Sequence, residues 1–186
     1  MTMIYIDKIT KKCDLEKNES ISTYENWGAQ QNYKAFETFY YFLKETKPKR
    51  ILEIGTSIGG FTSFLNYSCK ELFLDCEILT LDINEYPWYE DMKNAGINIK
   101  VENVFSDNYE SVSEYIIDFI QSDGTTIVLC DGGNKKLEFN LLSNYLKVGD
   151  FILGHDYSLD FEYFQNNING KVWNWCELTE SDIIDA

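Results

Sequence analysis

Four aspartates each follow a short apolar run of the chain, and a histidine stands beside the last of them. They are Asp82, Asp107, Asp131 and Asp156, with His155 just before Asp156. Two carboxylates brought together repel each other unless a proton or a cation lies between them. Carboxylate oxygens favour Mg²⁺, Ca²⁺ or Mn²⁺, and an imidazole favours Mn²⁺ or another transition ion. We therefore predict a divalent-cation site at Asp131, His155 and Asp156. The alternative is that Asp131 only orients a substrate and His155 only bonds to the backbone.

A glycine-rich turn follows another apolar run, residues 51–54. Gly55, Gly59 and Gly60 stand where a strand must turn into a helix. Glycine permits the tight turn and the close approach of a ligand, and the free N–H groups of the new helix face that ligand. Glu53 can accept hydrogen bonds from a hydroxyl or amino group. The spacing Glu53-x-Gly55-x-x-x-Gly59 does not fit the dinucleotide fingerprint G-x-G-x-x-G. We predict a nucleotide-type cofactor site; a tight turn without a ligand is the alternative.

Apolar runs alternate with amphipathic stretches along the chain. The predicted strands are residues 51–54, 77–82, 97–105, 125–131 and 151–156. The predicted helices are residues 25–46, 61–67, 86–94, 109–121 and 135–146. This alternation predicts a three-layer, Rossmann-like, doubly wound and mostly parallel sheet. Because ligands bind at the carboxyl ends of such strands, the glycine turn and the aspartates should share one edge of the sheet.

Two of the aspartates have an alternative role as helix caps. Asp82 ends the second strand 27 residues after Gly55, the position from which a carboxylate commonly accepts the ribose hydroxyls of an adenosine. Asp82 could equally cap the helix that follows, and Asp107 could cap the helix predicted at 109–121. Near the first helix, Gln30 and Gln31 could cover a cofactor or simply pack.

The bulk composition limits the partners and the setting. The 186 residues suffice for one domain, which we place at 25–186 after an N-terminal arm at 1–24. The net charge of −15 argues against nucleic acid and against anionic membrane surfaces. The five cysteines form no C-x-x-C pair, and neither a signal peptide nor a long apolar run occurs. We therefore expect a cytoplasmic protein.

Residues 50–157 resemble the class I S-adenosylmethionine (SAM) dependent methyltransferases. The likeness is carried by the E-x-G-x-x-x-G pattern at 53–59 and by the stretches 128–138 and 146–157. Within that class it is nearest to the metal-dependent O-methyltransferases grouped with the macrolide-sugar methyltransferases and the cephalosporin-hydroxylase-like proteins. The resemblance implies that SAM is bound by Glu53, Gly55, Thr56, Ser57, Gly59, Gly60, Asp82, Asp107 and Asp131. It also implies Mg²⁺ at Asp131 and Asp156, with His155 standing where the family has an acid.

The same resemblance implies catalytic roles and a shortened sheet. Relatives take the hydroxyl proton with a Lys or His three residues after the first metal aspartate, where this chain has Asn134. Lys135 is the candidate base here, with His155 second, and Asp131 is the other candidate catalytic residue. Only about 30 residues follow Asp156, so we expect a sheet without the family's last two strands. An open sheet edge would favour a homodimer.

These patterns together predict a SAM-dependent methyltransferase. The predicted reaction is metal-assisted O-methylation of a small hydroxylated acceptor, a sugar or a secondary metabolite. Two other functions remain open at this point: a SAM-binding module without turnover, and an NAD(P)-type nucleotide-binding oxidoreductase.

Overall fold

The computed structural model describes residues 23–24, 27–31, 33–106, 110–171 and 173–183. The strands are β1 (Thr23–Tyr24), β2 (Trp27–Gly28), β3 (Arg50–Ile54), β4 (Glu77–Asp82), β5 (Asn98–Val101), β6 (Phe105–Ser106), β7 (Ser111–Val112), β8 (Thr126–Cys130), β9 (Phe151–Gly154), β10 (Tyr157–Ser158) and β11 (Leu178–Thr179). The helices are α1 (Tyr33–Thr46), α2 (Gly60–Glu71), α3 (Tyr89–Asn94), α4 (Glu114–Gln121), α5 (Lys135–Ser143), α6 (Phe161–Tyr163), which runs on as a π-helical turn at Phe164–Ile168, and α7 (Glu180–Ile183).

A five-stranded parallel sheet forms the centre of the protein. Its strand order is β5-β4-β3-β8-β9, so the chain starts in the middle and winds outward in both directions. All five residues of the central strand β3 are buried, as expected when helices cover both faces of a parallel sheet. The prediction of a doubly wound parallel sheet is therefore confirmed.

Alternate residues of β3 enter two separate cores, which makes three layers. Ile51 packs with Phe36 and Phe64 from α1 and α2 on one face, and the two phenylalanine rings meet edge to face at 4.7 Å. Leu52 packs with Ile116 from α4 on the other face. This split follows from the two-residue side-chain period of a strand.

Arg50 fixes the relation between β3 and β8. Its buried guanidinium donates to the carbonyls of Ser122, Asp123 and Gly124 at 2.5, 2.8 and 3.0 Å. These carbonyls form the turn that leads into β8, and all three share the two N–H groups of a single nitrogen, Nη2. The resulting register pairs Ile54 with Cys130, so the turns that follow β3 and β8 begin side by side.

The first helix begins later than the sequence predicted. α1 starts at Tyr33, and the preceding residues include an antiparallel pairing of Thr23–Tyr24 with Trp27–Gly28. Gln30 has a left-handed backbone (φ 49°), which a helix cannot contain. The predicted boundary between an arm at 1–24 and a domain at 25–186 falls inside this pairing, and residues 1–22 lie outside the described residues.

The third predicted strand and the helix after it are also shorter than predicted. β5 ends at Val101, and β6 pairs instead with β7 through Phe105 and Val112. Consequently α4 begins at Glu114 rather than at residue 109. Across the described ranges, none of the helices combines the length and the apolar character needed to span a bilayer.

The sheet ends at β9 within the described part of the chain. The expectation that the family's last two strands are lacking stays a prediction. β10 and β11 form a separate parallel pair through Tyr157 and Leu178, and this pair brings the C-terminal segment back toward the sheet's carboxyl edge. The predicted homodimer stays a prediction.

Candidate active site

A cleft of about 680 Å³ opens at the carboxyl ends of β3, β4, β8 and β9. This volume is typical of a site for a small molecule or cofactor. Its polar and charged lining residues are Gln30, Ser57, Asp82, Asn84, Tyr86, Glu102, Asn103, Asp131, Asn134, Lys135, Glu138, His155, Asp156 and Glu177. The position is that expected for ligands of doubly wound sheets.

The turn after β3 packs directly on the turn after β8. Gly55 has φ +93°, and a Cβ built on it would lie 2.2 Å from the backbone oxygen of Asp131. Its N–H donates to the carbonyl of Leu81 at 2.8 Å. Only glycine can adopt this backbone and leave room for the neighbouring chain. Gly59 is favoured by its φ of +83°, and a Cβ there would also lie 2.4 Å from Sδ of the Met92 side chain.

Asp82 is held rigidly at the end of β4. Its Oδ2 accepts from the N–H of Ser57 at 2.6 Å, and its Oδ1 accepts from the N–H of Asn84 at 2.8 Å. Each carboxylate oxygen can accept a further hydrogen bond, and the residue lines the cleft. Asp82 therefore presents fixed acceptors to a ligand.

Glu53 lies beneath the glycine turn. The hydroxyls of Thr62 and Thr80 both donate to its Oε2 at 2.6 Å, and the residue is 3% exposed. Burial is the main cause that raises its pKa from 4.5 to about 7. The two hydrogen bonds act to lower this pKa, and the nearby carboxylates of Asp131 and Asp82 act to raise it. Glu53 does not line the described cleft, so any effect on a ligand would pass through the turn above it.

Three titratable residues converge at the ends of β8 and β9 and form what we call the Asp131 cluster: Asp131, His155 and Asp156. One ligand atom from each lies within 4.8 Å of the others, and Nδ1 of His155 is 3.1 Å from Oδ1 of both aspartates. Burial alone would lower the pKa of His155, but the two carboxylates outweigh it and raise that pKa to about 9. Burial would raise the pKa of Asp156, but His155, Trp173 and Lys135 lower it to about 2.

Lys135 is buried against the same carboxylates. Its Nζ is 2.6 Å from Oε2 of Glu177, 3.1 Å from Oδ2 of Asp156 and 3.5 Å from Oδ1 of Asp131. Burial would lower its pKa, but Glu177 and the two aspartates outweigh it and raise that pKa above its usual value. Lys135 is thus protonated at neutral pH, and in this arrangement it donates hydrogen bonds to the carboxylates and does not serve as a proton acceptor.

Glu138 fixes the loop that carries Asp131. Its carboxylate accepts from the N–H groups of Gly132 at 3.0 Å and Asn134 at 3.1 Å, while Asn134 caps α5 through Leu137 at 3.2 Å. Burial raises the pKa of Glu138. The loop and the first residue of α5 are therefore rigid supports for the cluster.

The structure brings together most of the residues that the sequence singled out. The predicted residues that line the cleft are Gly55, Ser57, Asp82, Asp131, Lys135, His155 and Asp156. The predicted residues that do not line it are Glu53, Thr56, Gly59 and Gly60, all of which support the turn. Asp107 lies outside the described residues. Gln30 lines the cleft, whereas Gln31 is buried.

The side chains that close the cluster from the C-terminal segment were not among the predicted site residues. The indole N–H of Trp173 donates to Oδ1 of Asp156, and its ring meets that of His155 edge to face at 5.2 Å. Trp175 and Glu177 also line the cleft. The only available signal was the aromatic run at 172–177, because sequence spacing does not reveal the contact between Lys135 and Glu177.

A central parallel sheet with a glycine turn after its first strand, an acid after the second and a ligand cleft at the carboxyl edge defines the class I methyltransferase architecture. The sequence matches the model of the FtsJ-like methyltransferase family over residues 30–175. The chain belongs to this family. The prediction of a class I methyltransferase fold is thereby confirmed.

Solved structures with a similar fold include the apo N160 form of CmcI, with a TM-score of 0.57 and 16% identity over 79% of this chain and 61% of that chain. The D160 form of CmcI with Mg and SAM gives a TM-score of 0.51 and 17% identity over 74% and 57%. A Staphylococcus aureus protein assigned as a caffeoyl-CoA O-methyltransferase gives a TM-score of 0.52 and 17% identity over 74% of this chain and 63% of that chain. This chain thus spans about three fifths of the length of these neighbours. A search of curated proteins gives no match.

Proposed function

We propose that the protein transfers the methyl group of SAM to a hydroxyl oxygen of a small acceptor. The observation that carries this proposal is a single cleft with the glycine turn and Asp82 at one end and the Asp131 cluster at the other. A small acceptor, rather than a nucleic acid, fits the net charge of −15. The Staphylococcus aureus neighbour assigned as an O-methyltransferase supports the same reaction.

The adenosine part of SAM is proposed to lie between the ends of β4 and β5. Asp82 would accept both ribose hydroxyls, because its oxygens are fixed by Ser57 and Asn84 and face the cleft. Residues 103–105 line the neighbouring wall and would contact the adenine; the same role for Asp107 stays a prediction. The Gly55 turn then places the methionine part next to Asp131.

The acceptor is proposed to lie beside Asp131. Its oxygen would form a bond to the methyl carbon while the carbon–sulfur bond breaks, which converts the sulfonium into a neutral thioether. The hydroxyl proton must leave at the same time. Lys135 and His155 are both held protonated by the neighbouring carboxylates. Asp131 faces the cleft beside the proposed acceptor, with a side chain 29% exposed, and both of its ion pairs use Oδ1. Its other oxygen would accept the proton.

The residues of the cluster also fit a divalent cation. Two carboxylates and one imidazole converge within 4.8 Å, a donor set that suits Mn²⁺ better than Mg²⁺. Asp131, His155 and Asp156 would hold the ion, which would lower the pKa of an acceptor hydroxyl.

Replacing Asp82 by alanine is expected to weaken SAM binding about 100-fold, because two hydrogen bonds to a charged acceptor are lost. The measurement is calorimetric titration of SAM into the wild type and the variant. Asp118→Ala is the matched control, since Asp118 is an exposed aspartate on α4 outside the cleft. Equal SAM affinity of Asp82→Ala and the wild type would contradict the placement of the ribose.

Replacing Asp131 by asparagine is expected to lower methyl transfer by about 100-fold or more while SAM binding changes little, because a proton acceptor is lost. The measurement is formation of S-adenosylhomocysteine with a panel of sugars and phenols. Unchanged turnover would contradict the role of Asp131. Micromolar SAM binding without turnover on any acceptor would instead favour a SAM-binding module.

A further inference from the structure

The ammonium of Lys135 lies next to the carboxylates of the cluster and neutralises part of their negative charge. Its Nζ contacts Asp131, Asp156 and Glu177 within 3.5 Å, and its side chain is only 7% exposed. The side chain of Asp156 is 8% exposed. A buried carboxylate needs a partner of opposite charge, and Lys135 supplies it together with His155.

The backbone at Lys135 is held in place by the hydrogen bonds around it, so the Cα and Cβ of Lys135 are fixed. Lys135 is the first residue of α5, which Asn134 caps through Leu137. Glu138 anchors the loop just before it through Gly132 and Asn134. Only rotation of the flexible lysine side chain can move its ammonium away from Asp131 and Asp156.

A divalent cation would need oxygen atoms of the same two carboxylates. An ion held by Asp131 and Asp156 would lie about 2.0 to 2.3 Å from a carboxylate oxygen of each. The Lys135 ammonium is 3.1 Å and 3.5 Å from oxygens of these two residues, so it would sit against the ion and repel it. Glu177 can keep the ammonium when it leaves the aspartates, because its Oε2 is already 2.6 Å from Nζ and its side chain is 48% exposed.

We propose that the ammonium of Lys135 and a divalent cation are alternative occupants of the Asp131–Asp156 pair. Without the ion, Lys135 bridges both aspartates; with the ion, it withdraws from them and keeps only its contact with Glu177. Lys135 thereby sets how tightly this cluster binds a metal. The inference rests on the metal site of the proposed function, yet it concerns binding alone and requires neither SAM nor an acceptor.

The first test measures binding of Mn²⁺ in the absence of SAM. The electron paramagnetic resonance signal of the free ion reports how much Mn²⁺ is not bound. Lys135→Met removes the charge and keeps the length of the side chain, so it is expected to bind Mn²⁺ at least about tenfold more tightly than the wild type. Lys136→Met is the matched control: Lys136 is the next residue of α5, pairs with Asp182 at 2.8 Å and is 59% exposed. Its affinity should equal that of the wild type. Adding Asp131→Asn to Lys135→Met should abolish the gain.

The second test uses the unmodified protein and covers the case in which Lys135→Met fails to fold. Lysines are acetylated briefly with and without saturating Mn²⁺, and modification of Lys135 is measured by mass spectrometry relative to Lys136. We expect Mn²⁺ to increase acetylation of Lys135 severalfold, because withdrawal exposes a side chain that is otherwise 7% exposed.

Three results would overturn the proposal. They are equal or weaker Mn²⁺ binding by folded Lys135→Met, saturation of the wild type with Mn²⁺ while Lys135 stays protected, and no Mn²⁺ binding by either protein. The last would make Lys135 the permanent counter-ion of the cluster. None of these results depends on whether SAM binds or methyl groups are transferred, so failure of the methyltransferase proposal would be seen separately.

Discussion

Alanine at Gly55 is expected to abolish measurable SAM binding and to lower the free energy of unfolding by about 3 kcal/mol. The added Cβ would lie 2.2 Å from the oxygen and 2.7 Å from the carbon of the Asp131 carbonyl. These are backbone atoms between a buried strand and a capped helix, so they cannot move aside at low cost. The φ of +93° adds backbone strain for any residue other than glycine. Relief of the clash would displace Asp131 and deform both ends of the cleft.

The measurements are SAM calorimetry and denaturant unfolding, with Gly149→Ala as the control. Gly149 has nearly the same backbone, φ +95°, but an added Cβ there meets no atom within 4 Å. Gly149→Ala should therefore cost about 1 kcal/mol from strain and leave SAM binding unchanged. Wild-type SAM affinity in Gly55→Ala would show that the contact between the two turns does not shape the cofactor site.

Replacing Glu53 by glutamine is expected to stabilise the protein at pH 8 by up to about 3 kcal/mol. This is the free-energy equivalent of a pKa shift from 4.5 to about 7. Burial raises the pKa of Glu53 from 4.5 to about 7, so the folded protein binds a proton at Glu53 more readily than the unfolded chain does. Between these two values, stability falls as pH rises, and above about 7 the full cost of a buried charge is present. Glutamine resembles the protonated acid and can still accept from Thr62 and Thr80.

The measurement is the free energy of unfolding of Glu53→Gln and the wild type from pH 4.5 to pH 8. The difference between the two should be small at pH 4.5, grow between pH 4.5 and about 7, and then level off. Glu114→Gln, at an exposed position of α4, should show no such trend. A difference that stays constant with pH would mean that Glu53 does not change its ionisation in this range.

The sequence by itself determined the sheet and the edge at which the site lies. The run 77–82 is a strand with the predicted bounds, because a buried strand needs apolar side chains on both faces. Gly55 and the aspartates that end β4 and β8 follow from the same local pattern, since strand ends and glycine turns are encoded by adjacent residues. Parallel winding then places them at one edge. The predicted bounds of strands and helices were less accurate where the strand pairing is short, as at residues 97–113.

The tertiary structure decided the chemistry inside the cleft. Lys135 was the candidate base from the sequence, yet its contacts with Glu177 and Asp156 make it a buried cation. Glu53 was a candidate cofactor ligand, yet it lies on the α2 face of β3 and bonds to Thr62 and Thr80. Both outcomes depend on side chains far away in the chain, and the protonation of a buried group depends on its three-dimensional surroundings. Local sequence patterns place a titratable residue at a site, but only packing determines its charge and its partner.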